Sequence, residues 1–359
     1  MPKVSNCALA AGAAISAALL SAGNLMLVNS FAPQYFNAAL CYIIISIVIA
    51  AAAFFAGHKR LVKAAPYLLG LLLLSLIFPL FNNPVNGTCR WIRFSSFAFS
   101  PAILTMPILC LWSVYIREKR SEAISNKDCF FLIAGTVITA GLVLLEPFYS
   151  MGGFIIVLGV VMVYLTGYDW KKITNSTLSF LSGTCITCAV FLCLESRERR
   201  TAIFRYLFDP DQDLTYHTWV LLKILKKSVF WGPVPVSAGQ TPYHIPNAIN
   251  DSALIAGCGK FGYVFLIAAL LLTAVIIVCG TVIARRSQNT AARMLAGGMT
   301  AVLAIPALVH TLMMFGLLPV GSVAFPFLSY GANTMIANVF ALSCIVMTAC
   351  KQDTGKLAE

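Results

Sequence analysis

Acidic residues are scarce in this chain. Thirteen of its 359 residues are Asp or Glu, four are His, and all charged types together make up 11%. A soluble domain carries about 25% charged residues, so an ordinary solvated surface is excluded. The four histidines, His58, His217, His244 and His310, lie at ligand spacing from neither a Cys nor an acid, which argues against a zinc site. No cleavable leader is evident, and the first apolar run, Ala8 to Val28, is long enough to be a membrane span itself. The twelve cysteines do not make a disulfide framework, because most fall inside apolar runs, where a free Cys behaves as a small hydrophobe. Cys185 and Cys188 have metal or redox spacing but no His or acid beside them.

What is present is hydrocarbon. Hydrophobic residues make up 59% of the chain and its mean hydropathy is +0.86. A spanning helix needs roughly 20 apolar residues. Ten such segments can be placed, at about 8–28, 38–57, 66–81, 99–116, 129–146, 151–167, 176–194, 261–283, 295–315 and 331–350. The expected fold is an all-α polytopic membrane protein of ten transmembrane helices, one integral domain over residues 1–359. Basic residues set its orientation. Lys59, Arg60 and Lys63, then Arg117, Lys119, Arg120 and Lys127, then Lys171 and Lys172, then Arg285, Arg286 and Arg293, then Lys351 and Lys356 all fall on one side. That side is cytoplasmic and holds both termini. The net charge of +12 is thereby explained without nucleic acid.

The long polar segment 195–260, between spans seven and eight, then lies outside. Within it, 214–230 reads as an amphipathic helix. Trp219, Leu222, Leu225 and Val229 recur at helical spacing, and Lys223, Lys226 and Lys227 gather on another side, the pattern of a helix lying in the lipid interface. Gly232, Pro233, Pro235, Gly239, Pro242 and Pro246 then punctuate an extended loop.

No acid falls mid-span, where an ion-coupled transporter needs one. Glu146, Glu195, Glu198, Asp209, Asp211, Asp213 and Asp251 sort to the outside or the outer interface. Asp251 heads the re-entering stretch Ser252-Ala253-Leu254-Ile255-Ala256. It reads either as a helix N-cap or as a carboxylate at a partly dry wall, where a raised pKa suits a base. Spacing alone favours the cap. Gly316 to Val320 and Phe325 to Thr334 form a Pro- and Gly-broken entry to the last span, either a kinked helix end or a cavity wall.

Four blocks now align in order. Gly316-Leu317-Leu318-Pro319-Val320, Pro326-Phe327 and Ser329-Tyr330-Gly331 form one. Asn86-Gly87-Thr88-Cys89-Arg90-Trp91-Ile92 with Pro101, Asp209-Pro210 with Tyr216, and Pro246 to Asp251 with Gly262-Tyr263-Val264 form the others. Together they resemble the SEDS family (shape, elongation, division, sporulation; the RodA, FtsW and SpoVE group) over roughly residues 80–350.

The resemblance implies a peptidoglycan glycosyltransferase of the bacterial plasma membrane. It would polymerise lipid II at the outer face for division, elongation or sporulation, with a class B penicillin-binding protein as transpeptidase partner. It places Asp251 on the catalytic position. Arg90, Trp91, Lys223, Lys227, Pro246, Pro326, Ser329, Tyr330 and Gly331 become candidates for substrate binding. It also implies a divalent cation, Mg or Mn, on the pyrophosphate, although no metal motif is visible. The alternatives are a non-catalytic scaffold of the cell-wall machinery and a lipid II flippase.

The family pattern is broken in places. Its Glu and Lys after the proline read Ile103 and Met106 here. Its Pro-Asp-Phe-Gly-Thr reads Pro147-Phe148-Tyr149-Ser150-Met151, and its Gly-Glu-Glu reads Cys258-Gly259-Lys260.

Overall fold

The computed structural model describes residues 5–81, 89–94, 97–119, 125–167, 216–235, 244–318 and 321–353. The expected span at 176–194, the Cys185/Cys188 pair, Asp209-Pro210, Asn86-Gly87-Thr88 and Pro319-Val320 lie outside them.

The described residues form a helical bundle. Its helices are α1 (Asn6–Phe31), α2 (Phe36–Ile77), α3 (Thr105–Glu118), α4 (Asn126–Leu145), α5 (Tyr149–Leu165), α6 (Tyr216–Lys227), α7 (Ala253–Phe261), α8 (Tyr263–Arg286), α9 (Thr290–Met314) and α10 (Ala332–Asp353). Six segments are long and apolar enough to cross a membrane: Asn6–Phe31, Pro33–Phe81, Lys127–Leu145, Tyr263–Arg286, Thr290–Met314 and Ala332–Asp353. The chain is a multi-pass membrane protein.

Two boundaries differ from those expected. Residues 58–65, expected as a loop, continue the helix, and α2 breaks only at Gly57 (φ 79°, ψ 163°). One glycine in the left-handed region turns the chain, so no loop is needed. The span expected at 99–116 starts late. An antiparallel hairpin, β1 (Ile92–Phe94) with β2 (Phe97–Phe99), pairs Ile92 with Phe99 and Phe94 with Phe97. A 3-10 turn over Pro101–Leu104 follows, and α3 begins only at Thr105. Pro101 has no N–H to donate, which suits the first position of that turn.

Helices pack through small residues, as membrane interfaces require. A Cβ at Gly280 would come within 2.2 Å of Thr300 Oγ1, which fixes the approach of α8 to α9. Met106 is buried in the central core and Ile103 packs against it. The two positions that carry Glu and Lys in the family pattern are thus ordinary packing sites in this chain. Replacing a buried ion pair by apolar residues is often neutral.

Polar contacts collect at the two ends of the bundle. At one end His58 pairs with Glu118, Asn6 Nδ2 donates to Gln352 Oε1 at 2.9 Å, and Arg286 donates to Asn6 Oδ1 at 3.2 Å. At the other end, buried Asn24 of α1 donates to the Leu328 carbonyl at 2.7 Å. The loops 244–252 and 321–331 close over that second end.

The interfacial helix forms as α6, but its buried stripe is not the one that spacing suggests. Val220, Leu221 and Ile224 are buried, whereas Trp219 is 43% exposed. Packing on α7 decides the phase. A Cβ at Gly259 would lie 2.9 Å from Ile224 Cγ2, so a larger side chain there would collide with α6. This fits Gly259 standing where the family pattern has an acid.

The junction of α7 and α8 is fixed in the same way. Gly262 has φ 90°, and a Cβ there would lie 2.6 Å from the Phe230 carbonyl oxygen. The segment after α6 runs alongside it: Tyr263 N donates to Val229 O at 2.9 Å and Val264 N to Phe230 O at 3.1 Å. Gly262→Ala is therefore expected to cost about 1–3 kcal/mol, read as a lower melting temperature of the detergent-solubilised protein. An unchanged melting temperature would refute this reading of the turn.

Candidate functional site

Asp251 ends a tight turn. Asn247 takes φ 49°, a conformation Asn tolerates better than most residues. Its carbonyl accepts from Asn250 N at 2.9 Å and Ser252 N at 3.2 Å. The helix that follows, α7, takes Ser252 as N-cap with no side-chain capping bond. Asp251 therefore does not cap it, which removes the N-cap reading that the spacing favoured.

The turn is braced from the entry to α10. Ser329 Oγ accepts from Phe325 N at 2.8 Å and donates to Asn250 O at 2.6 Å. Tyr330 N donates to Ile249 O at 2.7 Å, and Asn250 Nδ2 donates to Tyr330 O at 3.2 Å. The Tyr330 ring sits 5.7 Å from Tyr35 and 5.6 Å from Tyr42. Pro326 is buried within this loop, and Gly331 carries it into α10. Two of these contacts, to Asn250 O and Ile249 O, act on the backbone of the Asp251 turn itself. Pro246 joins from the other side: its carbonyl accepts from Ser252 Oγ at 2.8 Å, and that oxygen meets His217 Nε2 at 2.7 Å. With the serine proton committed to Pro246, the imidazole N–H donates. Burial pushes His217 down from its ordinary value, which keeps it neutral in this role.

The charged centre is Arg90. Its guanidinium lies 4.5 Å over the Phe148 ring and 5.3 Å over Trp91, both cation–π contacts. One of its nitrogens donates to Ser322 Oγ at 3.3 Å, and the Ser322 hydroxyl in turn bonds Asp251. Asn247 Nδ2 reaches Asp251 Oδ2 at 3.4 Å. Burial pushes the Asp251 carboxyl up from the usual range, while Arg90 and Ser322 hold it back. Burial also pushes Arg90 down, opposed by Asp251 and by Glu146.

Glu146 completes the group. It follows directly on α4 as its C-cap and is fully buried. Among the described residues, neither of its carboxyl oxygens has a hydrogen-bond partner, and neither does Arg90 Nε. Burial pushes Glu146 up to about 8, against the pull of Arg90. Phe148, which occupies the acid position of the family's Pro-Asp-Phe-Gly-Thr block, presents its ring to Arg90.

The structure thus brings Asp251, Arg90 and Trp91 together and turns Pro246, Pro326, Ser329 and Tyr330 into supports. The cation acting on Asp251 is Arg90. Lys223 instead lies 4.2 Å over the exposed Trp219 ring, because the stripe facing α7 is the apolar one. Sequence reasoning missed Ser322, His217 and Glu146.

Among the described residues no three of His, Cys, Asp and Glu come together as a cage for a metal. The two carboxyls near one another share Arg90, so the positive charge is already supplied. Among the described residues, then, the side chains alone do not make a cage for a divalent ion.

The FtsW/RodA/SpoVE family, described as cell cycle protein, matches residues 7–354. The chain is 26% identical to the probable peptidoglycan glycosyltransferase FtsW of Trichlorobacter lovleyi, over 77% of this chain and 72% of that protein. It is 28% identical to the FtsW so named in Geobacter metallireducens, over 79% and 76%. It is 24% identical to the peptidoglycan glycosyltransferase RodA of Mycobacterium bovis, over 81% and 65%. A chain of a peptidoglycan synthase complex, solved for its coordination of polymerization and crosslinking, superposes with TM-score 0.78 at 21% identity, over 95% and 97%. The rod shape determining protein RodA of Thermus thermophilus superposes with TM-score 0.69 at 18% identity, over 95% and 96%.

The brace gives a direct test. Ser329→Ala removes a buried acceptor from Phe325 N and a donor to Asn250 O. The expected loss is about 1–3 kcal/mol, read as a lower melting temperature. An unaltered melting temperature would show that the turn does not depend on this hydroxyl.

Proposed function

Because the chain belongs to the FtsW/RodA/SpoVE family of cell cycle proteins, we propose that it is a peptidoglycan glycosyltransferase that extends glycan strands from lipid II. The reaction runs at the outer face of the bacterial plasma membrane. The observation that supports this best is the pairing of a partly desolvated carboxyl with a half-buried guanidinium, Asp251 with Arg90, joined through Ser322.

Each group has a task in such a transfer. Asp251 is the base. It takes the proton of the attacking sugar hydroxyl as that oxygen closes on the anomeric carbon. A carboxyl with a raised pKa is a stronger base than one in water, and still ionised enough to act. Arg90 receives the charge that develops on the departing pyrophosphate. A guanidinium suits phosphate oxygens through paired N–H donors, and this one is already held by Phe148, Trp91 and Ser322. Trp91 also offers an apolar face to a sugar or to the lipid. The donor set calls for no metal of its own, so we propose that a divalent cation, where one takes part, arrives on the substrate's pyrophosphate.

The lipid tail of such a substrate lies in the bilayer beside the bundle, and the sugar enters from the loop end. The partner we propose is a class B penicillin-binding protein, which would crosslink the strand as it is made. Which of division, elongation or sporulation the strand serves is set by that partner.

The substitutions in the family pattern are consistent with an active enzyme. Ile103, Met106 and Gly259 are packed into the fold, and Phe148 is engaged by Arg90. A scaffold or a flippase would not need Asp251.

Purified protein, supplied with its partner transpeptidase and lipid II, should make glycan strands. Asp251→Asn should lower the rate by on the order of 10²-fold or more. Equal product from both proteins would remove Asp251 from the mechanism. No product from the wild type would favour the scaffold, and movement of lipid II across liposomes without polymer would favour the flippase.

A further inference from the structure

Three buried polar atoms in one small region lack partners: both carboxyl oxygens of Glu146 and Nε of Arg90. Native interiors satisfy such atoms with few exceptions, and the exceptions need a reason. One of them belongs to the guanidinium that interacts with Asp251, and the other two to the second carboxyl in its field. Glu146 was sorted from sequence only as an acid at the outer interface, and the proposed function above leaves it without a task.

We propose that Glu146 is a second working carboxyl of this site, a proton donor to the leaving pyrophosphate oxygen while Asp251 takes the proton of the attacking hydroxyl. This rests on the glycosyltransferase reading. An ionised carboxylate buried with no donor carries a large desolvation cost, so the resting group is the neutral acid. Its position agrees. Glu146 closes α4 directly before Pro147, and Phe148, two residues on, lies under Arg90. An anion docked on Arg90 is therefore beside the Glu146 carboxyl, which then has the acceptor it lacks in the free protein.

The charged groups acting on Glu146 are few. Arg90 acts on it directly, and Asp251 shares that guanidinium. Tyr149 and Ser150, which follow it in the chain at the start of α5, carry no charge near neutral pH. Ser150 Oγ donates to Ser322 O at 3.4 Å, which ties α5 to the loop that holds Asp251.

The protons balance. The bond from the anomeric carbon to the pyrophosphate oxygen breaks as the bond to the attacking oxygen forms. The hydroxyl proton passes to Asp251, and the Glu146 proton passes to the leaving oxygen. Asp251 then returns its proton to Glu146, and both carboxyls are reset. Two carboxyls whose surroundings set them to different tasks are a known route to paired acid and base.

The sign of the pH dependence follows. Glu146 titrates near 8 in the folded protein against 4.5 as its ordinary value, and it must be protonated to act. The transfer rate should therefore fall as pH rises through about 8. The same raised value means that Glu146 contributes stability fully below 4.5 and loses it as pH rises toward about 8.

The experiment compares wild type, Glu146→Gln, Glu146→Asp and Asp251→Asn, each with the partner transpeptidase and lipid II. We expect Glu146→Gln to bind lipid II and to melt cooperatively. It should lose on the order of 10²-fold in rate near neutral pH and lose the fall above pH 8, while Glu146→Asp recovers part of the rate. Its melting temperature should gain on the wild type between pH 4.5 and 8 and hold that gain above. A Glu146→Gln protein that keeps the wild-type rate and its alkaline fall overturns the proposal. So does one that fails to bind lipid II, or a melting difference that does not change with pH. If the wild type itself makes no glycan, the glycosyltransferase reading fails; the pH dependence of melting still shows whether Glu146 holds its proton.

Discussion

A guanidinium taken out of water must be compensated from several sides at once. Arg90 is the point at which this requirement falls in this protein. Its charge rests on the faces of Phe148 and Trp91, on the hydroxyl of Ser322 and on the field of the Asp251 carboxylate. Those partners come from four separate stretches of chain: the hairpin entry, the α4–α5 link, the Asp251 turn and the loop before α10. Bringing them together needs the whole bundle in register, which the close approach of helices at small residues provides. Removing the cation would leave Asp251 without its opposing charge. The cost of burying carboxylates would then fall on the fold itself.

The compensation is incomplete in the free protein. Arg90 Nε and the Glu146 oxygens stay unmatched, while the turn behind Asp251 is fully bonded through Ser329, Tyr330 and Asn250. Rigid support and unsatisfied front differ in kind. The first sets position. The second is a standing preference for an anion and for an acceptor, and it explains how an apolar chain with so few acids can still hold a polar substrate. The site stores binding energy as hydrogen bonds not yet made.

Much of this was legible in the sequence, and the parts that were not share a cause. Apolar runs and flanking lysines and arginines identified a membrane bundle, because the hydrocarbon imposes length and composition on each span. Residues 58–65 were misjudged because charges there look like a loop, while the helix runs through them and breaks at Gly57. Asp251, Arg90 and Trp91 were visible because they sit in blocks of distinctive composition. Glu146 and Ser322 were not, since a Glu at a helix end and a Ser after a Gly each have a bland explanation. Only the fold shows that both face Arg90. A count of helical spacing placed the lipid-facing stripe of the interfacial helix at Trp219, Leu222, Leu225 and Val229, with Lys223 and Lys227 on another side. Two apolar stripes satisfied that count, and α7 selected the one at Val220, Leu221 and Ile224.

The link from His217 through Ser252 to the Pro246 carbonyl ties α6 to the residue next to Asp251. The apolar stripe of α6 rests on α7, with Val220, Leu221 and Ile224 buried and Ile224 against Gly259. The turn is therefore clasped on both sides, by α6 and α7 on one and by the loop before α10 on the other, so a tilt of α6 against α7 would be felt first at the residue beside Asp251.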